Sequence, residues 1–289
     1  MRKRLLAVMM TMMVALGGLT GCGSSTESTA ATSSSAQRTV EDIKAAGVLK
    51  VGAKSDTVNI GMINTATGEY EGYDVDVAYE MAAKIFDCTY EEAVANKLVE
   101  FTSVTAKTRG GLLDNGELDC VIASFTVTEE RKKSWNFTQQ YRLEPVTFMV
   151  SKESGVTTLA DMDGFIIGVG QGTTTAELIE AYAAEKGIDV SYEIQDFQYI
   201  SDGVAALKTS QIDAYSVDRT GLIAYMDDSL MLTEDAFGIQ DIGIALKLGN
   251  DELTQFMDEA LTELKESGRL DELKGKWGIL TDAEVQAMQ

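Results

Sequence analysis

From residue 39 onward the chain alternates between two hydrophobic rhythms. Short, mostly apolar runs fall at 48–52, 98–101, 120–124, 165–169, 190–194, 212–217 and 242–247. Runs of that length predict buried strands. Between them lie segments with apolar positions three and four residues apart, at 74–86, 105–114, 174–186, 201–208, 218–226 and 251–267. That spacing predicts helices with one face on a core. In 74–86 the apolar face is built from Val77, Met81 and Phe86 with Val75, Ala78, Ala82 and Ile85. A short helix is also predicted over 39–47, where Thr39 stands as N-cap, an acid follows three residues on and Gly47 closes. Strands separated by helices predict an α/β fold with parallel sheets covered on both faces.

One plan appears twice. The segments GGLLDNGELDCVIASFT and AALKTSQIDAYSVD each give a helix, a short polar turn, an apolar-Asp step, a strand and then polar residues. Two such units without a long linker suggest two lobes of one module. In open parallel sheets ligands sit beyond the carboxyl ends of the strands. The polar clusters 124–131 and 216–219 fall there on this reading.

The first residues follow neither rhythm. Arg2, Lys3 and Arg4 precede an apolar run from Leu5 to Leu16 broken only by Thr11, and then comes Leu19-Thr20-Gly21-Cys22. This is the layout of an export signal, residues 1–21, and the run is too short for a comfortable bilayer span. LTGC resembles the bacterial lipoprotein box, in which Cys22 becomes a lipidated N-terminus. Diacylation plus N-acylation gives more than one chain, as a lasting anchor requires. Residues 22–38, rich in Ser, Thr and Ala, read as a solvated tether.

Charge narrows the function classes. The net charge of −22 becomes −25 once the leader goes, because the leader carries three bases and no acid. Such a chain repels phosphate backbones, so nucleic acid is not an expected partner. With no histidine, every Ser-His or Cys-His nucleophile and every imidazole metal ligand is absent. Three cysteines make neither a disulfide scaffold nor a four-thiolate zinc site, so no metal and no cofactor is expected. Cys120 lies within a strand pattern and reads as a small buried hydrophobe, while a Cys88–Cys120 bridge stays open.

The strand ends carry the candidate chemistry. ASFTVTEER places Ser124, Thr126 and Thr128 past a strand and Arg131 near a helix start. Hydroxyls, backbone N–H groups and a guanidinium fork suit a carboxylate, although a capped turn with a solvated arginine fits the same nonapeptide. IIGVGQGTTTAEL is a strand, a glycine-rich turn and a helix start. Its N–H groups at Thr173 and Thr174 suit a small anion, or else the glycines serve packing and the threonines cap. Asp218 in IDAYSVDRT suits an ammonium, an N-cap role, or both. Lys54 and Arg109, taken singly, read as solvated surface charges.

Taken together, LKVGAKSD, GEYEGYDVDVAYEMA, TRGGLLDNGELDCVIASFTVTEERKKSWNFT, LADMDGFIIGVGQGTT, LKTSQIDAYSVDRT and the tail LTELKESGRLDELKGKWG resemble the extracellular solute-binding proteins of family 3, which serve polar amino acid ABC transporters. The resemblance implies a periplasmic-binding-protein-like fold, with lobe 1 over 39–145 plus 241–289 and lobe 2 over 146–240, joined by a two-crossing hinge. Pro145 lies close to the first crossing. It also implies roles. Arg131, Thr126 and Thr174 would grip the α-carboxylate of an amino acid, with Thr173 in the same cradle. Asp218 would meet the α-ammonium, helped by Ser124 and Thr126.

AKTRGGLLDNG is similar to the subgroup that binds aspartate and glutamate, which implies that Arg109 and Lys54 face a side-chain carboxylate. Tyr199 is a further hydroxyl candidate there, and Gly111 stands where subgroup members often have proline. The implied protein captures glutamate or aspartate by lobe closure and performs no chemistry. It is exported, lipid-anchored on the outer face of the cytoplasmic membrane, at a Gram-positive surface rather than in a periplasm, monomeric, and read by a membrane permease. Glutamine, asparagine or cystine are the alternative ligands. Secreted dehydratases of arogenate or prephenate resemble the same scaffold, but no acid pair announces itself around Asp218 or Glu177. A sensor domain would need a separate partner chain, since no signalling segment is seen before Gln289.

Overall fold

The computed structural model describes residues 37–288. The leader and Cys22 lie outside them. In chain order the elements are α1 (Val40–Ala46), β1 (Leu49–Ala53), β2 (Asp56–Thr57), β3 (Gly61–Ile63), β4 (Tyr70–Glu71), α2 (Tyr73–Ile85), α3 (Tyr90–Ala95), β5 (Val99–Ser103), α4 (Arg109–Asp114) and β6 (Cys120–Val121). There follow β7 (Trp135–Ser151), β8 (Phe165–Gly170), α5 (Thr175–Lys186), β9 (Tyr192–Phe197), α6 (Ile200–Lys208), β10 (Ala214–Asp218), α7 (Arg219–Ile223), β11 (Leu230–Lys247), α8 (Asp251–Glu266), α9 (Arg269–Trp277) and α10 (Asp282–Gln286).

Local chemistry sets several of these boundaries. Thr39 and Asp42 form a reciprocal capping box on α1, and Gly47 ends it in the left-handed region, as the sequence predicts. Gly72 has φ +134°, and a Cβ there would lie 2.4 Å from the Ile60 carbonyl oxygen. Only glycine lets the chain turn so tightly into α2. Helix α2 buries nearly its whole circumference, including Asp74, Asp76 and Glu80. Each of these acids is matched. Asp76 accepts from Tyr90, Lys276 and Trp277, and Glu80 pairs with Arg269.

Eight strands form one sheet in the order β5-β1-β6-β11-β7-β10-β8-β9. Strands β5, β1 and β6 are mutually parallel, and so are β10, β8 and β9. The two central strands run antiparallel to their neighbours. The sheet is therefore mixed rather than purely parallel. The reason is β7, a 17-residue strand absent from the predicted set, and the extension of β11 to 18 residues. Charged Arg142 and Glu144 beside Pro145 interrupt the apolar rhythm of β7, which hides it. A three-stranded sheet of β2, β3 and β4 was also without a sequence signal.

Pro145 cannot donate a ladder hydrogen bond. Where it sits, Glu144 and Val146 of β7 pair with Gln240 and Phe237 of β11, so β11 carries an extra residue. Gly238, at φ +54°, absorbs this bulge. The hydrophobic clusters divide at the same place. Those packed around α2, α8 and β1 draw on residues up to Tyr141 and from Ile242 onward. Those around β8 and β10 draw only on residues from Val146 to Phe237. Thus only β7 and β11 carry the central sheet from one set of cores to the other. Both cysteines in the described region are free, and Cys120 is fully buried.

Candidate functional site

The two parallel strand sets end at one cavity of about 680 Å³, counting the part open to solvent. Lys54, Arg109, Ser124, Thr126, Thr173 and Asp218 line it together. They come from the end of β1, the start of α4, the segment after β6, the turn after β8 and the end of β10. Far apart in sequence, they meet because parallel strands deliver their carboxyl ends to one edge.

The segment after β6 is the pivot. Its predicted strand is observed only over Cys120–Val121, and Ser124 beyond it takes the left-handed conformation (φ +50°) off the ladder. Other partners replace the lost ladder bonds. The Ser124 N–H donates to Asp74 Oδ2 at 3.0 Å, and Arg109 Nη1 donates to the carbonyls of Ala123 and Ser124 at 2.7 and 2.9 Å. Arg109 is therefore no surface charge. It is 3% exposed, with its guanidinium 3.9 Å above the Phe125 ring. Burial, and then the neighbouring Arg131, hold its pKa below the ordinary guanidinium range. Its Nε is buried with no hydrogen-bond partner among the described residues.

Arg131 approaches the same ring at 5.1 Å but, like Thr174, is not among the residues lining the cavity. Nη1 donates to the Thr126 carbonyl at 2.9 Å and Nη2 to the Gly172 carbonyl at 3.2 Å. Burial lowers its pKa as well. Among the described residues, neither Arg109 nor Arg131 has a carboxylate within ion-pair distance. Lys54 differs, since its Nζ lies 3.0 Å from Asp56 Oδ1, so its charge is already met.

On the opposite side, Thr174 stands at the N-cap position of α5 without capping it. The Thr173 N–H bonds to the Gly170 carbonyl and its hydroxyl to the same oxygen, so that amide is not an open donor as the glycine-rich turn suggested. Asp218 occupies the N-cap position of α7, again without a capping bond. Its Oδ1 accepts instead from Gln240 Nε2 at 2.9 Å. Tyr199 is not brought into the cavity. It is 39% exposed and its hydroxyl accepts from Gln198, while its neighbours Gln198 and Ile200 line the wall.

Several lining residues escaped the sequence reading. Arg142 and Glu144, both fully buried on β7, form a close ion pair, and Asp74 Oδ1 lies 3.8 Å from Arg142 Nε. Arg142 Nη2 also donates to Ser124 Oγ at 2.6 Å. Glu144 accepts from the Thr220 N–H and hydroxyl, each at 2.9 Å. Asp74 accepts from the Tyr141 hydroxyl. Burial works against the charge on Arg142, but Glu144 and Asp74 outweigh it and raise its pKa. Burial pushes Glu144 up to about 7 despite the pull of Arg142, and raises Asp74 too. Gln240 joins both sides. Its Oε1 accepts from Thr126 Oγ1 at 2.7 Å and Thr174 Oγ1 at 2.8 Å. The Tyr215 hydroxyl on the wall has no hydrogen-bond partner among the described residues. A polar residue inside an otherwise apolar run, as in RLEPVTFMV and FGIQDIGIAL, was the available signal for Arg142, Glu144 and Gln240.

No group of three or more His, Cys, Asp or Glu side chains able to hold a metal ion occurs among the described residues, and no helix there is long and apolar enough to cross a membrane. The lining combines guanidiniums and hydroxyls with two carboxylates, Asp218 and the Glu144 already paired with Arg142.

Comparison with known proteins agrees with the architecture. The model of bacterial extracellular solute-binding proteins, family 3, matches residues 49–279. The ABC transporter glutamine-binding protein of Bacillus subtilis (strain 168) is 30% identical over 278 residues, covering 95% of this chain and 97% of that protein. The L-cystine-binding protein of Escherichia coli (strain K12) is 30% identical over 217 residues, covering 73% and 75%. Among solved structures, a mutant of ArgBP from T. maritima superposes with a TM-score of 0.69 at 26% identity, covering 82% of this chain and 98% of that one. The mixed α/β fold is that of the periplasmic amino acid-binding proteins, and the chain belongs to the bacterial extracellular solute-binding proteins of family 3.

Proposed function

We propose that the chain is the substrate-binding component of an ABC importer and captures an acidic amino acid, L-glutamate or L-aspartate, without chemical conversion. The observation that carries this reading is the charge around Phe125. Buried Arg109 and half-buried Arg131 share that ring with no carboxylate in ion-pair distance among the described residues, while the Asp218 carboxylate accepts from the Gln240 amide. An acidic amino acid brings two carboxylates and one ammonium, which matches that set. Burying an unpaired charge is costly, and a complementary ligand relieves the cost. Arg131, Thr126 and Thr174 then hold the α-carboxylate, Asp218 and Ser124 the ammonium, and Arg109 the side-chain carboxylate, with Lys54 at its periphery.

Capture works by closure of lobe 1 (39–145 plus 241–289) on lobe 2 (146–240), and the separate hydrophobic clusters and the bulge opposite Pro145 support that division. The leader pattern supports export and a lipid anchor at Cys22 on the outer face of the membrane, where a permease reads the closed form. Glutamine and cystine remain a second reading, favoured by the binding named for the similar proteins. A thermal-shift screen against the twenty amino acids and cystine separates them. Glutamate or aspartate giving the largest shift supports the acidic reading. A larger shift with glutamine or cystine refutes it, and no shift with any compound refutes amino acid binding.

A further inference from the structure

The side chain of Gln240 reproduces the polar pattern of an amino acid head group. Its carbonyl oxygen accepts from two hydroxyls, Thr126 at 2.7 Å and Thr174 at 2.8 Å, and its NH₂ donates to Asp218 at 2.9 Å. An α-amino acid offers the same arrangement, with an acceptor carboxylate for the hydroxyls and a donor ammonium for the aspartate. The amide orientation follows from chemistry, because an ionised aspartate only accepts and the nitrogen must face it. Gln240 is 5% exposed and sits on β11 beside the bulge opposite Pro145, paired in register with Glu144. It therefore reaches the site from the strand that links the two sets of cores. Its three bonds tie Thr126, which follows β6, to Thr174, which precedes α5, and to Asp218, which ends β10.

We propose that Gln240 is a built-in competitor: its carboxamide occupies the head-group position, latches the ligand-free cleft shut, and is displaced by the incoming amino acid. This inference rests on the amino acid reading of the cavity. The carboxamide is neutral, so it satisfies the hydroxyls and Asp218 but leaves Arg109 and Arg131 without a carboxylate. A zwitterion supplies the same hydrogen bonds and the missing charge. Latching lowers the apparent affinity by the fraction of molecules in the latched form.

The test is Gln240→Leu, which keeps much of the volume and removes both polar atoms. Small-angle X-ray scattering of the ligand-free proteins is expected to give a larger radius of gyration for the variant. Calorimetry with L-glutamate, and separately with L-glutamine, is expected to give a dissociation constant about tenfold lower for whichever binds, the size of one net hydrogen bond to a charged group. Unchanged scattering, or unchanged or weaker binding, overturns the latch, the latter because Gln240 would then be a ligand contact. If no compound of the amino acid and cystine screen binds wild type or variant, the amino acid reading fails, and scattering alone decides the latch. Should Gln240→Leu not fold, Gln240→Glu places a carboxylate against Asp218. An expanded ligand-free form then supports the latch, and wild-type scattering overturns it.

Discussion

If the proposed acidic ligand is right, replacing Arg109 by alanine should cost glutamate far more affinity than glutamine. The guanidinium is buried, its Nη1 holds the Ala123 and Ser124 carbonyls, its ring contact is 3.9 Å, and no carboxylate among the described residues pairs with it. A ligand carboxylate that reaches it makes a charge-assisted bond in a dry setting. Truncating one member of such a pair costs about 2–5 kcal/mol, because the remaining charge is left buried and unpaired. Taking ~3 kcal/mol, glutamate should bind about 100-fold more weakly to Arg109→Ala. Glutamine presents a neutral amide there and loses about 1 kcal/mol, or roughly fivefold. The substitution also releases two backbone carbonyls, so the variant melts at a lower temperature, but that loss is common to both ligands. The ratio of the two losses therefore isolates the charge. Isothermal titration of both ligands into both proteins, below the variant's melting range, measures it. Equal losses would refute the assignment of Arg109 to a side-chain carboxylate.

Arg131→Ala should weaken every α-amino acid that binds, by about 10- to 100-fold, because all share the carboxylate that its fork and Thr126 would hold; calorimetry showing unchanged binding would remove Arg131 from the site. The pH dependence follows from the buried acids. Glu144 titrates at about 7 in the folded chain against an ordinary 4.5, and Asp74 is raised in the same direction. The folded state then keeps protons that the unfolded chain has already released, so stability falls as pH rises from about 4.5 to about 7. Scanning calorimetry across that range should show a melting temperature that declines with pH, and Glu144→Gln should make the decline shallower. A wild-type melting temperature that climbs through the same window would contradict the burial argument.

Much of the layout was legible in the chain. The capping box at Thr39, the helices α2, α5, α6 and α8, and the strands β1, β8 and β10 all come from local periodicity and end signals, which depend on neighbours a few residues apart. The same is true of the polar residues at strand ends, so Ser124, Thr126, Thr173 and Asp218 could be singled out before any coordinates. Tyr199 could not be judged in this way. Whether its ring faces the cavity is set by the turn into α6 and not by its chemistry, and the structure turns Gln198 and Ile200 inward instead.

What tertiary structure alone decided is who meets whom. Strand β7 carries buried charges that look misplaced in a strand until Glu144 meets Thr220, 76 residues away, and Asp74 comes within 3.8 Å of Arg142. Arg109 reads as a solvated base until Phe125 and two carbonyls enclose it. Gln240 carries no motif at all, yet it joins hydroxyls 114 and 66 residues distant. Hydrophobic spacing specifies elements because it is read within a few turns or strand steps. Burial of a charge and the sharing of one amide between distant hydroxyls depend on separations in space, which only the packed chain supplies.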